Sequence, residues 1–397
     1  MFASILSWIF YIGNDWLFHI ISKNIYAFSM MFKYDKILES PSYYYFGKEN
    51  IDSISEEDKL YLKILSFLNE NNIFEKGVII SLSGGVDSMV ILAILLKIRN
   101  EKHFDICAAM INYNLRKESL DEAKFIELYC KENKVQFYIC NMIEDLDSPE
   151  SFIDRQNMGS KKRNQFEEKS KELRYSFYQK IINDHNYSGV ILGHHKDDIT
   201  ENIFTNILKG QNILDLEVMK EVGSIKEVNI FRPLINYPKN DIINLAINNK
   251  IPYFKDTTPV WSRRGKMRFE IFPMLNQVFG KSWKEKIKHI GDQSNLLNDS
   301  IKRLLSDPWI KNVEWVDEVK FESENSSGSR TFLFLLPVKY KEDLFMWYYT
   351  IPQLFFRKKL KSIRRKSIEK LFNILSDETS QDTNTIITLD SGIYATI

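Results

Sequence analysis

Cysteine is scarce in this sequence. Its three residues, Cys107, Cys130 and Cys140, form no Cys-x-x-Cys pair, which gives no zinc, iron–sulfur or disulfide framework and suits a reducing compartment. Net charge is nearly absent as well. With 54 Lys+Arg against 53 Asp+Glu the balance is +1, so any polyanion must be held by local patches and not by a global field. Long uncharged apolar runs are missing. The most apolar stretch, Met1 to Phe32, is interrupted by Asp15, His19 and Lys23, and no run reaches the ~20 residues that a spanning helix needs. That stretch also lacks the basic start and cleavage site of a signal peptide and the arginines of a transit peptide. Its expected form is a helix packed on the protein or on a second copy, a homodimer in the latter case, with a membrane-surface helix the minority reading. The expected location is the cytoplasm, with an organelle as the alternative. What remains, 44% hydrophobic and 27% charged over 397 residues, fits a globular protein of two or three domains.

The most informative stretch is Val78-Ile79-Ile80-Ser81-Leu82-Ser83-Gly84-Gly85-Val86-Asp87-Ser88. An apolar, β-branched run reads as a buried strand. It breaks at Ser83-Gly84-Gly85, where bare backbone turns tightly and can approach a ligand. An almost wholly apolar helix follows. Strand, glycine turn and helix start together make a phosphate site, because the first helical turn has unpaired N–H groups and a partial positive charge. Ser83 and Ser88 add hydroxyls. Asp87 would repel phosphate, and makes sense if it holds a magnesium ion or orients a nucleotide. A structural strand-to-helix turn is the bland alternative.

Further along, strands are expected at Phe104–Ile111, Val135–Cys140 and Val190–Leu192. Helices are expected at Glu56–Asn71, Ser119–Asn133, Phe166–Asn183 and Lys239–Asn249, and another runs on to Lys209. Asp145 to Lys162 reads as polar and irregular. This alternation implies an α/β fold with a doubly wound parallel sheet. In such sheets ligands sit beyond the carboxyl ends of the strands. The expected division is an apolar N-terminal extension over 1–55, a catalytic domain over 56–278, and a mostly helical region over 279–397 ending in short strands.

A second cluster follows the fourth strand. His194, His195, Asp197, Asp198 and Glu201 place five ionisable groups in eight positions. His194, Asp198 and Glu201 share helical spacing. The cluster suits a metal site, or acid–base chemistry with recognition of a cation. Alternatively, Asp197 and Asp198 merely complement a helix dipole. Arg232-Pro233-Leu234 comes next, then a loop carrying Lys255, Trp261, Arg263, Arg264, Lys266 and Arg268. Cations and a tryptophan together suit phosphate contact and base stacking, against a plain solvated loop. The basic run Arg357–Lys366 is either a further phosphate surface or a solvated helix face.

Taken in order, these segments resemble the tRNA(Ile)-lysidine synthases, a family of PP-loop ATP pyrophosphatases with a Rossmann-like sheet. Ser83–Ser88 resembles the family's ATP loop. Asn112–Ser119, Leu173-Arg174-Tyr175, Gly193–Asn202, Arg232-Pro233-Leu234 and Arg264-Gly265-x-x-Arg268 with Pro273 resemble its later motifs. The chain departs from the pattern at Tyr113, Asn114, Thr257-Thr258-Pro259 and Gly265. The resemblance implies ATP and magnesium as cofactors. It also implies isoleucine tRNA and free L-lysine as partners in a two-step ligation. Cytidine 34 would be adenylylated with release of pyrophosphate, and the lysine ε-amine would then displace AMP. It assigns ATP binding to Ser83, Gly84, Gly85, Val86, Asp87 and Ser88, with magnesium at Asp87. Catalysis falls to Asp87, His194, Asp198 and Arg264, lysine binding to Asp198 and Glu201, and tRNA contact to Arg232, Arg263, Arg264, Lys266 and Arg268. Asp198 or His194 would be the base for the lysine amine. The alternatives are a PP-loop enzyme with another nucleophile, such as a tRNA thiolase, and a non-catalytic RNA-binding relative.

Overall fold

The computed structural model describes residues 43–44, 51–113, 119–141, 160–254, 262–307, 315–316, 333–334, 343–357, 363–376, 386–390 and 393–396. The expected N-terminal apolar helix, the polar stretch 145–159, Asn114–Glu118, the loop 255–261 with its Thr257–Pro259 departure, and residues 358–362 of the C-terminal basic run lie outside them. Two compact units form, one of Met1–Gln211 with Glu217–Ile290, the other of Asn212–Leu216 with Gly291–Ile397.

The first unit is built on a six-stranded sheet. Its strands are β1 (Val78–Ser81), β2 (Ile106–Asn112), β3 (Gln136–Asn141), β4 (Val190–Ile191), β5 (Val222–Ile225) and β6 (Val228–Phe231), in the spatial order β3-β2-β1-β4-β6-β5. All neighbours pair in parallel except β5, which closes one edge antiparallel to β6. The parallel, doubly wound sheet expected from the sequence is therefore present. The β5–β6 hairpin was not legible because its two-residue turn is Lys226-Glu227, both at positive φ, where Asn-Gly is the usual marker of such a turn.

Side chains of β1 alternate between two cores. Val78 and Ile80 join a large cluster with α1 (Lys59–Glu70), α2 (Val86–Glu101), α3 (Ser119–Glu132) and α6 (Lys239–Asn248). Ile79 joins a smaller one with Tyr178 and Ile181 of α4 (Ser160–His185). Burial on both faces is why β1 reads as an unbroken apolar run, and burial all round is why α2 does. Helix α1 begins at Lys59, not Glu56, because Asp58 caps it, its carboxylate accepting from the Leu60 N–H at 2.8 Å. Helix α4 starts earlier than expected and takes in Ser160–Lys162. Helix α5 (Lys196–Leu208) leaves β4.

Helix α7 is continuous from Arg263 to Phe279 in three segments, α over Arg263–Lys266, π over Met267–Ile271 and α over Phe272–Phe279. Helix α8 (Trp283–Ile301) follows. In the second unit, α9 (Leu344–Arg357) and α10 (Arg365–Ser376) pack with Trp347 edge-on to Phe372, centroids 5.7 Å apart. Ile386–Asp390 and Ile393–Thr396 form an antiparallel pair that supplies the expected short terminal strands. Among the described residues no helix is long and apolar enough to cross a membrane.

Candidate active site

The strand order reverses between β1 and β4, and their carboxyl ends open side by side. This is where a doubly wound sheet binds its ligand. Gly84, at φ +78°, holds the turn after β1 in the left-handed region, and a Cβ there would run into the Phe254 ring. Phe254 is fixed over the turn by donating its N–H to the Gly84 carbonyl at 2.8 Å. Gly85 caps α2, leaving the N–H groups of the first helical turn without intrahelical acceptors. The two serines brace the turn from within. Ser88 Oγ donates to the Gly85 carbonyl at 3.0 Å and accepts from the Ser83 N–H at 3.3 Å. Asp87 points out of that first turn.

The exit of β4 passes directly against this helix start. A Cβ on Gly193 would lie 3.1 Å from both Asp87 Cβ and the Ser88 nitrogen, so only glycine gives this approach without displacement. His194 and His195 then diverge. His195 is buried, 2% exposed, and sits among three carboxylates. Its Nε2 is 3.3 Å from Asp198 Oδ2 and 3.7 Å from Asp87 Oδ1, and its Nδ1 is 3.8 Å from Asp197 Oδ2. His194 is held by Arg232, whose Nε donates to His194 Nδ1 at 3.0 Å. Burial is the main reason its pKa falls from the ordinary 6.5 to about 4. A neutral ring whose Nδ1 accepts carries its proton on Nε2, which makes His194 a donor.

Four charged side chains lock α5 to α7. Arg264 Nη2 lies 2.6 Å from Asp198 Oδ1 and its Nε 2.5 Å from Glu201 Oε1. Arg268 reaches the same two carboxylates, at 3.2 Å from Asp198 Oδ1 and 2.8 Å from Glu201 Oε2. The i,i+3 spacing of the acids meets the i,i+4 spacing of the arginines, so each helix offers one charged face. Asp198 also accepts from the His195 N–H at 3.1 Å. Burial pushes the Asp198 carboxyl up, but His195 and Arg264 outweigh it and hold it below the ordinary value. A carboxylate so stabilised is a weak base, and so is His194. Which of them takes the proton of an attacking amine belongs to the proposal below.

Arg232 also departs from expectation. It is 6% exposed, and a second donor, Nη1, goes to the Lys220 carbonyl at 2.8 Å. Two of its donors are thus engaged within the protein, on His194 and on the Lys220 carbonyl. Arg263 and Lys266 lie on the other face of α7, exposed, and line a cleft of about 800 Å³ with Lys171, Lys209 and Glu168. The metal reading of the histidine–carboxylate cluster gains no geometric support, since among the described residues no three His, Cys, Asp or Glu are grouped as ligands.

Two charged groups at the site escaped the sequence reading. Lys239 Nζ donates to Asp87 Oδ2 at 2.9 Å, and Lys284 Nζ to Asp197 Oδ1 at 2.7 Å. For Asp197, burial pushes the carboxyl up but Lys284 leads the contacts that hold it below its usual value. One clue to Lys239 was available, because it opens a helix, where the dipole disfavours a cation. The other oxygen of Asp87, Oδ1, is buried and has no hydrogen-bond partner. A hard cation such as magnesium, which takes oxygen ligands, fits that oxygen.

A family model described as a PP-loop domain matches residues 57–275. Three proteins named tRNA(Ile)-lysidine synthase are similar in sequence. That of Chlamydia muridarum is 26% identical over 246 residues, 62% of this chain and 70% of its own. That of Chlamydia caviae is 26% identical over 309 residues, 77% of this chain and 86% of its own. That of Pseudothermotoga lettingae is 27% identical over 252 residues, 62% of this chain and 53% of its own.

Proposed function

This chain belongs to the PP-loop family, and we propose that it is an ATP-dependent tRNA ligase of the lysidine-forming type. The observation that carries the reading is the meeting of a phosphate-binding turn and an acidic, arginine-buttressed face at one switch point of the sheet, within contact of each other through His195. The names of the similar proteins support the same substrates, isoleucine tRNA and lysine.

In the proposed first step the pyrimidine C2 oxygen attacks the α-phosphorus of ATP, and the β–α bridging oxygen leaves with pyrophosphate. The N–H groups at the start of α2 hold the departing pyrophosphate. Magnesium, bound through Asp87 Oδ1, would neutralise charge on the phosphates. His194, with its proton on Nε2, is a donor suited to an oxygen that changes charge during transfer. In the second step the lysine ε-amine, after giving a proton to Asp198 or His194 as base, bonds through its nitrogen to C2 while the C2–oxygen bond breaks; AMP leaves with that oxygen and the second amine proton passes to solvent. Asp198 and Glu201 are acceptors for the amino groups of lysine, and Arg264 and Arg268 keep them fixed. Arg263 and Lys266 face a basic cleft suited to the tRNA backbone.

Cys107 and Cys130 are unsuited to carry sulfur. Both are buried, and burial pushes each thiol up to about 12, so neither is a thiolate nucleophile at neutral pH. The test is incorporation of labelled lysine into isoleucine tRNA with ATP and magnesium. Label that requires ATP and is lost in Asp87→Ala supports the reading. ATP consumption stimulated by tRNA without label would keep the ATP chemistry and refute lysine as nucleophile.

A further inference from the structure

We propose that Lys239 is a phosphate-contacting residue of the nucleotide site, an inference that rests on the ATP reading above. Its ammonium lies 2.9 Å from Asp87 Oδ2 although the two residues are 152 positions apart. The neighbouring backbone brings it there. Lys239 donates its own N–H to Asp197 Oδ2 at 3.3 Å, and the Lys196 N–H donates to the Tyr237 carbonyl at 2.9 Å. The start of α6 is thereby stapled to the start of α5, beside the turn that ends in α2.

The charge balance at that turn explains why a cation belongs there. The helix start attracts a polyphosphate, but Asp87 opposes it. Like charges in close contact repel appreciably at the effective dielectric of a protein surface. An ammonium in contact with that carboxylate cancels the repulsion and stands within reach of the same phosphate. Lysine has three donors. One is used on Asp87, and the side chain keeps 29% of its surface exposed, so the others can turn to phosphate oxygens. The ammonium does not compete with a metal at Asp87, because it takes Oδ2 and leaves the buried Oδ1, which makes no hydrogen bond and has His195 Nε2 3.7 Å away. Lys239 also stands in the first turn of a helix, against the dipole, a position that its own helix does not favour.

A simple ion pair with Asp87 is the competing explanation, and binding calorimetry separates the two. The full chain is titrated with inorganic pyrophosphate and, separately, with ATP and magnesium. Wild type is compared with Lys239→Met, Lys239→Arg, Asp87→Asn and the Asp87→Asn/Lys239→Met double variant. Lys239→Met is expected to weaken pyrophosphate binding about tenfold to hundredfold, the size of one charge-assisted hydrogen bond. Lys239→Arg should keep most of the affinity. The loss should persist in the Asp87→Asn background. Should Lys239→Met not fold, Lys239→Gln makes the same comparison. Unchanged affinity within twofold, or a loss that disappears once Asp87 is neutral, would overturn the proposal. Wild type that binds neither pyrophosphate nor ATP would sink the ATP reading itself. Wild type that binds both while Lys239→Met matches it would sink only the role of Lys239.

Discussion

The two halves of the candidate site are made in opposite ways. The nucleotide half is contiguous, with Ser83 to Ser88 carrying turn, cap and carboxylate in one stretch, braced by its own serines. The acceptor half is assembled, with Asp198 and Glu201 on α5 meeting Arg264 and Arg268, 66 residues apart for the Asp198–Arg264 hydrogen bond and 67 for Glu201–Arg268. The first half is shaped by backbone and leaves Asp87 Oδ1 without a hydrogen bond. The second is shaped by ion pairs whose charges cancel, so its carboxylates take a cation only by sharing them with arginine. The contrast suggests that the first half is tuned for phosphate geometry and the second for selectivity among cations.

Breaking the nucleotide half should have the largest effect. Asp87→Ala is expected to lower ATP–pyrophosphate exchange by at least about 10²–10³-fold, the scale set by removing one oriented electrostatic group, with circular dichroism unchanged. Exchange at the wild-type rate would remove Asp87 from the site. Glu201→Gln should act on the other half alone, reducing lysine incorporation about tenfold to hundredfold while exchange stays within about threefold. Its side chain is 11% exposed and braces both arginines, so some stability is lost as well, and melting at matched temperature controls for that.

A pH series sharpens the contrast further. Folding lowers the His194 pKa to about 4 from 6.5. Between these values the unfolded chain binds a proton that the folded chain refuses, so stability falls as pH drops from 6.5 toward 4. Asp197 and Asp198 are held below their ordinary 3.8, so their contribution is lost only in stronger acid, below that window. Urea midpoints measured from pH 7 to 4.5 should decline in wild type, and the slope should be shallower in His194→Asn. An identical slope would contradict the assignment. The smallest effect is expected at the rim. Lys196 and Glu285 pair at 3.0 Å with 35% and 67% of their side chains exposed. Lys196→Met should therefore shift stability by less than about 0.5 kcal/mol, and a larger change would mean that this pair helps to set the start of α5.

The fold and the nucleotide half were legible because their signals are local. A strand buried on both faces and an all-apolar helix both appear as runs, and the left-handed Gly84 appears as a glycine pair. The acceptor half was legible only as a list of charged residues. Spacing showed that Asp198 and Glu201 share a helix face, but not that His194 would precede that helix, nor that Arg264 and Arg268 would neutralise the acids. Nor did it show that Arg232 would turn inward to His194. Lys239 and Lys284 were missed for the same reason, since each acts on a carboxylate brought near by the sheet and not by the chain. The β5–β6 hairpin was missed because Lys226-Glu227 adopts a turn that its residue types do not advertise.

The most direct test of two separable halves is to measure, on one preparation of Glu201→Gln, both tRNA-dependent ATP–pyrophosphate exchange without lysine and labelled-lysine incorporation. The account predicts exchange near the wild-type rate with incorporation largely lost. Parallel loss of both would contradict it, and would mean that the arginine-paired carboxylates serve the nucleotide step and that the site is one unit.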